Sequence, residues 1–446
     1  MIRSATGMLF CLFSVITLGS CTPPQARVPS AAETVPQPAI QLNLNLPRVG
    51  DLLVRSLVRQ MNEAELVGQM IMVGLEQDET GSAVTVVGDG ERQMLRSIAP
   101  GGVILFGANI VTVDQVQTLV GELQRATDIP LIIATDHEGG LVSRLTSSGR
   151  MPATVMPSAT LVGIAADVLV QRGQPEHATD LAREWGYVIG CELRALGITM
   201  NMAPVADVNN IENPGLLASQ RRTYGSDPAL VGELVAATVS GMHAAGVTAV
   251  LKHFPGQGAA TLDSHTAPVA LDHTRARLDQ VDLVPFVAGI NAGARAIMSA
   301  HISYPRATGG DEPATTSPQL LTDLLRHELG FDGVVVTDAL NMDAVALRRD
   351  SVEVAMAAIR AGADIMLKPI DPAALHAALV DAVNSGMLSR ERLEESVRRI
   401  MEVKLRAGLF GPSTLWTDPA ATEILGSAAH QDLVEEIRSV ARSRRE

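Results

Sequence analysis

The sequence is poor in aromatic residues and in cysteines. Phe, Tyr and Trp make up 3% of its 446 residues, and there are 3 cysteines. So few aromatic rings argue against the stacking platforms that bind long polysaccharides. Cys11 and Cys21 lie in the N-terminal leader, which leaves Cys191 as the one cysteine of the remaining chain. No intrachain disulfide is expected there, and the fold has to rest on its hydrophobic core.

Basic charge is also in short supply. The chain has 35 Lys and Arg against 49 Asp and Glu, which gives a formal net charge of -14. This balance argues against a nucleic-acid partner and against a basic membrane-binding face. Hydrophobic residues make up 46% and charged residues 19% of the chain, a composition typical of a well-packed globular protein.

The first fifty residues are typical of an export signal followed by a tether. Arg3 precedes the apolar stretch 8–18, which is too short for a permanent transmembrane helix. That stretch runs into Leu-Gly-Ser-Cys at 18–21, which resembles the lipobox of bacterial lipoproteins, with Cys21 as the lipidated residue. An ordinary signal peptide with an incidental cysteine is the alternative. The Pro-rich segment 22–50 predicts an extended tether, and the leader predicts an extracytoplasmic protein that is lipid-anchored to the bacterial envelope.

From residue 51 onward, apolar runs alternate with helical patterns. Eight runs are almost continuously hydrophobic, as strands buried on both faces should be. They are Met70–Leu75, Gly102–Phe106, Leu131–Asp136, Thr199–Asp207, Ala249–His253, Ala296–His301, Val334–Asp338 and Asp364–Lys368. Six of them end in an ionisable residue, and the active site of a parallel barrel is built from such strand ends. No Gly-x-Gly-x-x-Gly follows the first run, which disfavours a dinucleotide-binding open sheet.

The pattern therefore predicts an α/β fold, a TIM-type (β/α)8 barrel that forms a single catalytic domain over residues 51–415. A helical tail is expected at 416–446. Helices are expected from the capping-box spacing at Asn62 and Glu65, over 318–329 and over 391–406.

Chemically reactive side chains concentrate in the segment 252–265, after the fifth run. Lys252 and His253 end a strand, a glycine-rich turn follows, and Asp263 and His265 come next. With one residue between them, the Asp263 carboxylate can fix the tautomer of His265 and favour its protonated form, as a proton-transfer catalyst requires. A solvated loop with a chance Asp-x-His is the alternative.

These motifs resemble those of glycoside hydrolase family 3, and within it the β-N-acetylhexosaminidases of the NagZ type. Lys-His-Phe-Pro-Gly-Gln-Gly at 252–258, with Asp-Ser-His at 263–265, is similar to the family signature, and 334–342 resembles the strand that ends in the family's nucleophile. Segment 134–144 resembles the family's sugar-binding segment after the third strand, and segments 201–207 and 222–225 resemble the family's region after the fourth. The resemblance covers roughly 53–410. It implies a retaining exo-β-N-acetylglucosaminidase that removes terminal β-linked N-acetylglucosamine from peptidoglycan fragments, without a metal or other cofactor.

The resemblance also implies residue roles. Asp338 maps to the nucleophile that carries the covalent glycosyl intermediate, and His265 maps to the acid/base with Asp263 as its partner. The sugar-binding residues map to Asp136, Arg144, Arg222, Lys252 and His253. A carboxylate and a proton donor on opposite faces of the sugar are what a retaining glycosidase needs, and an imidazole with a pKa of about 6.5 both donates and accepts at neutral pH. A helix N-cap is the alternative for Asp338, and structural ion pairs are the alternative for the sugar-binding residues.

Other polar strand-end residues, Asp207, His301 and Lys368, are expected to support the residues that contact the sugar, and Met342 to line the pocket or the core. Two positions depart from the family pattern: Gln257 stands where the family has a second His, and Ala339 where many relatives have an Asp.

Other functions stay open at this point. They are a family 3 β-glucosidase or xylosidase, an N-acetylglucosaminide phosphorylase, a sugar-binding lipoprotein and a metal-dependent barrel hydrolase. The expected partner is a small carbohydrate, a GlcNAc-containing muropeptide or a chitobiose-like glycan, and a monomer is favoured.

Overall fold

The computed structural model describes residues 46–77, 80–264, 266–342, 351–411 and 417–445. The predicted lipobox with Cys21 and most of the predicted tether lie outside these ranges. The predicted acid/base His265 lies outside them too.

Eight parallel strands form a sheet that closes on itself. Strands β1 to β8 span Ile71–Gly74, Gly102–Leu105, Ile132–Thr135, Met200–Asn201, Thr248–Phe254, Ala296–Ser299, Val334–Thr337 and Met366–Leu367. Consecutive strands pair in parallel, and β1 pairs with β8. The last two strands are joined by backbone hydrogen bonds, in which Thr337 donates to Ile365 at 2.9 Å and Ile365 donates to Val335 at 3.0 Å. The predicted TIM-type barrel is confirmed.

Helices cover the outside of the barrel. The longer ones, α1 to α12, span Leu46–Gln60, Glu63–Gln69, Asp89–Ile98, Val113–Arg125, Ala159–Gln171, Pro175–Ala195, Pro228–Ala244, Val284–Asn291, Ser351–Ala361, Pro372–Asn384, Arg390–Arg406 and Ala428–Arg442. Shorter helical segments are Gly107–Asn109, Leu216–Ser219, Arg275–Arg277, Pro305–Thr308, Ala314–Thr316, Ala421–Ile424 and Ser443–Arg445. Leu278–Asp282 and Gln319–Glu328 are π-helical, and the second of these corresponds to the helix predicted over 318–329. Among the described helices, none is long and apolar enough to cross a membrane.

The predicted capping box opens α2. The Asn62 side chain accepts from the Glu65 amide at 2.9 Å, and the Glu65 carboxylate accepts from the Asn62 amide at 2.9 Å. Together these bonds satisfy two of the amide donors that a helix start leaves without intrahelical partners.

The fourth strand is shorter than the apolar run that predicted it. Only Met200–Asn201 pairs as a strand, whereas the run extends from Thr199 to Asp207. Pro204 has no amide to donate to a ladder, so regular pairing is interrupted there, and Val205 then pairs with Lys252 of β5 as an isolated bridge. The chain beyond it stays buried and delivers Asp207 to the carboxyl-terminal end of the barrel.

Helix α11 crosses the amino-terminal end of the barrel. The Lys404 ammonium lies 2.5 Å from the Gln69 side-chain oxygen, just before β1, and Arg392 donates to the carbonyl of Ala363, just before β8, at 2.7 Å. Helix α1 packs beside α11, with Gly50 against Leu405. The first helix thus lies on the face opposite the carboxyl-terminal strand ends, and it begins five residues before the predicted domain start at residue 51.

The C-terminal segment contains the short helix Ala421–Ile424 and helix α12, and it packs on the barrel. Helix α12 contacts α5 and α6. The buried Glu192 carboxylate of α6 accepts from the Gly426 amide at 2.9 Å and lies 2.9 Å from the His430 ring. These contacts fix the segment to the outside of the barrel.

Candidate active site

The chain after β3 carries two carboxylates that meet one lysine. Asp136 follows the strand, and His137–Gly139 then forms a short hairpin with Val142–Ser143. Because side chains alternate along extended chain, Asp136 and Glu138 lie on the same side. The ammonium of Lys252, on β5, is 2.8 Å from Asp136 Oδ1 and 2.7 Å from Glu138 Oε1.

Glu138 extends this cluster to a second cation. Arg222 donates to both of its oxygens, each at 2.8 Å, in the bidentate geometry that suits a guanidinium. Asp136, Glu138, Lys252 and Arg222 therefore form a network of two negative and two positive charges, which we call the charge network. Its formal charges cancel, and it presents both donors and acceptors.

The charge network shifts the pKa values of its members. Burial alone would raise the pKa of Glu138, but Lys252 and Arg222 outweigh it and lower that pKa to about 2. Burial opposes the charge on Lys252, yet Asp136 and Glu138 raise the pKa of its ammonium above the ordinary value. Burial likewise opposes the charge on Arg222, and Glu138 overcomes this and raises the pKa of Arg222. All three groups are charged at neutral pH.

Asp207 holds the turn that follows β5. This carboxylate is fully buried and accepts from the His253 amide at 3.1 Å and from the Gln257 amide at 2.6 Å. It also lies 2.8 Å from His253 Nδ1. Because the carboxylate can only accept, Nδ1 carries the proton and Nε2 is the ring nitrogen left to contact a ligand.

Asp338 follows β7, and its side chain is buried, with 8% of the residue exposed. Its Oδ1 accepts from the Ala339 amide at 2.8 Å, and its own amide donates to Ser299 at 3.2 Å. His301 supports the same turn, since its Nε2 lies 3.2 Å from the Ala339 carbonyl and its Nδ1 lies 2.8 Å from the Thr315 hydroxyl. The carboxylate is thus fixed at the carboxyl-terminal end of the barrel.

A pocket lies between the chain after β4 and the chain after β5. Arg222, His253 and Asp263 line it together with the amides of Gln220 and Gln257 and several aliphatic side chains. Arg222 belongs to both the charge network and this pocket. The pocket therefore joins two of the predicted sugar-binding residues, Arg222 and His253, to the loop that leads to His265.

Arg144 has different surroundings. Its guanidinium carbon lies 5.7 Å from the centre of the Phe106 ring, and the Lys368 ammonium lies 4.7 Å from the same centre, at cation–π distances. Lys368 also pairs with Glu76 at 2.7 Å. The Arg144 amide donates to His137 Nδ1 at 3.1 Å. Burial lowers the pKa of His137 to about 4, so the ring is neutral and able to accept this bond.

The structure brings together five of the predicted site residues. Asp136, Lys252 and Arg222 belong to the charge network, while Arg222, His253 and Asp263 line the pocket. The pairing of Asp263 with His265 stays a prediction, because that imidazole is outside the described ranges.

Sequence reasoning missed Glu138, which contacts both cations of the charge network. The signal that could have found it is the Asp-x-Glu spacing, which places two carboxylates on one side of an extended segment. The predicted supporting residues also have definite contacts. Asp207 accepts from the Gln257 amide of the turn after β5, and His301 lies beside the Ala339 carbonyl. Met342 is buried. Across the described ranges, no three His, Cys, Asp or Glu side chains are grouped so as to hold a metal ion.

The family model named Glycosyl hydrolase family 3 N terminal domain matches residues 64–403. This chain belongs to glycoside hydrolase family 3. The predicted family is therefore confirmed, and the protein is a glycoside hydrolase.

Named relatives in family 3 are similar over most of the chain. A β-hexosaminidase A of Pseudoalteromonas piscicida is 33% identical over 415 residues, covering 85% of this chain and 67% of the relative. A family 3 β-N-acetylglucosaminidase structure from a Paenibacillus species superposes with a TM-score of 0.74 at 35% identity, covering 85% of this chain and 69% of that one. NagZ from Neisseria gonorrhoeae, in complex with N-trifluoroacetyl-D-glucosamine, superposes with a TM-score of 0.65 at 27% identity, covering 83% and 97%.

Proposed function

We propose that this family 3 enzyme is a retaining exo-β-N-acetylglucosaminidase, a β-N-acetylhexosaminidase that releases terminal β-linked N-acetylglucosamine. The observation that carries the proposal is the charge network and the pocket that shares Arg222 with it. A neutral sugar presents hydroxyl and amide groups, and a network of cancelling charges offers partners for both without favouring a charged ligand. The names of the relatives, β-hexosaminidase and β-N-acetylglucosaminidase, support the same substrate class.

Within the charge network, Asp136 is the acceptor for sugar hydroxyls. Its side chain is 18% exposed, whereas those of Glu138 and Lys252 are 4% and 3% exposed. Glu138 instead keeps the two cations in place. Arg222 and His253, which line the pocket, donate to hydroxyl or acetamido oxygens, and His253 does so from Nε2 because Asp207 occupies Nδ1.

The reaction we propose is a double displacement. The Asp338 carboxylate attacks the anomeric carbon and forms a glycosyl ester, while the bond to the leaving oxygen breaks and His265 gives that oxygen its proton. Water then attacks the anomeric carbon while His265 takes a proton from the water, and the bond from that carbon to Asp338 breaks, which regenerates the carboxylate. Support comes from the fixed position of Asp338 at the end of β7 and from the place of Asp263 in the pocket.

Turnover of 4-nitrophenyl N-acetyl-β-glucosaminide by the purified protein tests this proposal. We expect turnover by the wild type and its loss in Asp338→Ala. His265→Ala should lose less on this substrate than on a natural disaccharide, since nitrophenolate leaves with little protonation. Asp128→Ala and His327→Ala change exposed residues outside the proposed site and should leave turnover intact.

Other outcomes of this assay would contradict the proposal. Sugar binding without turnover would indicate a binding protein. Release of N-acetylglucosamine 1-phosphate in phosphate buffer would identify a phosphorylase. Undiminished turnover in Asp338→Ala would remove this carboxylate as the nucleophile.

We further propose that the natural substrate is a small soluble glycan, a GlcNAc-containing muropeptide or a chitobiose-like fragment, and that the protein acts outside the cytoplasm on a lipid anchor at Cys21. The net charge of -14 disfavours docking on an anionic wall polymer. The position of α1 on the face opposite the site suits an anchor, because a tether leaving from there keeps the pocket turned away from the membrane.

Labelling of cells with a clickable fatty acid tests the anchor. The wild type should incorporate the label and sediment with membranes, and Cys21→Ser should do neither, with Cys11→Ser as the matched control. Equal labelling of wild type and Cys21→Ser would contradict the anchor.

A further inference from the structure

Gln257 is a buried side chain whose oxygen has no hydrogen-bond partner among the described residues. Its backbone amide donates to Asp207 Oδ1 at 2.6 Å, so the residue has a fixed position in the turn after β5. The residue is 8% exposed and lines the pocket, and its Oε1 atom is fully buried. A buried acceptor without a donor costs free energy, and a ligand that brings a donor removes that cost.

The side chains around Gln257 restrict which chemical group of a ligand can carry that donor. Leu216, Leu217, Leu262 and Ile302 line the same pocket. The other amide of the pocket, Gln220, already accepts from Arg222 at 3.2 Å. The pocket thus combines one acceptor that awaits a donor with several aliphatic surfaces.

An acetamido group matches this combination. It has one N–H to donate, a methyl group that gains from contact with aliphatic side chains, and a carbonyl that a guanidinium such as Arg222 can bind. A plain hydroxyl has no methyl group to bury.

We propose that Gln257 is a specificity-determining residue that recognises the 2-acetamido group of the substrate. Its Oε1 accepts the acetamido N–H, and the methyl group packs against the leucines of the pocket. This inference rests on the proposed function and names the residue that makes the site select an N-acetylated sugar. It also gives a role to the position where the family has a second His.

The test compares two substrates that differ at the N–H alone. One is 4-nitrophenyl N-acetyl-β-glucosaminide, and the other is its ketone analogue, in which a CH2 group replaces the N–H. The wild type should prefer the amide in kcat/KM by about 10- to 100-fold, as expected for one buried hydrogen bond. Gln257→Met, similar in length but without an acceptor of comparable strength, should lose that preference, with a larger fall in kcat/KM on the amide than on the ketone.

Gln171→Met is the matched control. Gln171 lies on the exposed side of α5, where it bonds Asp167 at 3.0 Å. This variant should keep the wild-type preference for the amide. Thermal melting of both variants checks that they fold.

Two results would overturn the inference. An equal loss on both substrates would mean that Gln257 only shapes the turn. A loss confined to disaccharides would mean that it contacts the leaving group.

Failure of the proposed function is separately visible, as an inactive wild type. In that case calorimetric binding of N-acetylglucosamine and of its ketone analogue gives the same comparison, and equal affinities in the wild type would overturn the inference.

Discussion

Glu138→Gln probes the charge network at its most connected residue. The substitution keeps the size and shape of the side chain and removes its negative charge. Lys252 and Arg222 then remain buried with Asp136 as the remaining anion of the network. Two cations would then face one anion in a buried site. One buried positive charge would be left uncompensated, as when one partner of a buried ion pair is removed.

The magnitude follows from the ionisation of Glu138. Its pKa falls from an ordinary value of 4.5 to about 2. At about 1.4 kcal/mol per pKa unit, the ionised carboxylate contributes about 3 kcal/mol to folding. Removing one partner of a buried pair typically costs about 3 to 5 kcal/mol. We therefore expect Glu138→Gln to lower the free energy of unfolding by about 3 to 5 kcal/mol, and to lower kcat/KM because Arg222 and Lys252 lose their positions.

The pH dependence gives a second check on this reasoning. The pKa of Glu138 is lower in the folded than in the unfolded state, so its contribution is fully present above about pH 4.5 and is lost as the pH falls towards about 2. The difference in stability between the wild type and Glu138→Gln should therefore be constant near neutral pH and shrink below about pH 4.5.

Urea unfolding of the wild type, Glu138→Gln and Glu328→Gln provides the measurement. Glu328 also binds an arginine through both oxygens, with Arg275 at 3.2 and 2.5 Å, but this pair is exposed. An exposed pair contributes about 0 to 1 kcal/mol. A cost for Glu138→Gln no larger than that for Glu328→Gln would refute the argument, as would a cost that stays constant down to pH 3.

Three further predictions concern the turn after β5 and the amino-terminal end of the barrel. Asp207→Asn puts an amide donor among three N–H groups, and we expect kcat/KM to fall about 10- to 100-fold with the fold retained in circular dichroism; unchanged kinetics would contradict this. Gly258→Ala places a Cβ 1.9 Å from the Val208 carbonyl oxygen, whereas Gly225→Ala has open space; the first should cost about 1 to 3 kcal/mol in urea unfolding and the second far less. Burial lowers the pKa of Lys404 to about 7 from 10.5, so the unfolded state binds more protons between these values and stability should rise with pH there; Lys404→Met should abolish that rise in urea midpoints at pH 7 and 9.5.

The sequence predicted the barrel because its strands are buried on both faces. Such strands appear as uninterrupted hydrophobic runs, and the eight runs correspond to the eight strands that pair in order. The ends of the strands were harder to predict, because backbone pairing rather than hydrophobicity decides where a strand ends. The run from Thr199 to Asp207 is hydrophobic throughout, but its regular ladder covers only Met200–Asn201. Beyond Pro204, which has no amide donor, Val205 pairs with Lys252 only as an isolated bridge.

The sequence predicted which strand-end residues lie at the candidate site, but not which of their side chains contact one another. Lys252, Asp136 and Asp338 follow apolar runs, and strand ends of a parallel barrel face one common surface. Nothing in the sequence says that Lys252 contacts Glu138 as well as Asp136, because those partners lie 114 and 116 positions away along the chain. Such pairings depend on the tertiary arrangement of side chains.

By itself, the sequence determined the barrel and the family and supplied the candidate site residues, because periodicity, strand length and local motifs are properties of short segments. Only the tertiary structure decided which of those groups contact one another and which are buried. It placed Glu138 between two cations, turned Asp207 towards the amides of its neighbouring loop, and left the Gln257 oxygen buried in the pocket. Burial and charge neutralisation depend on distances between segments that are remote in sequence, and only the closed barrel fixes those distances.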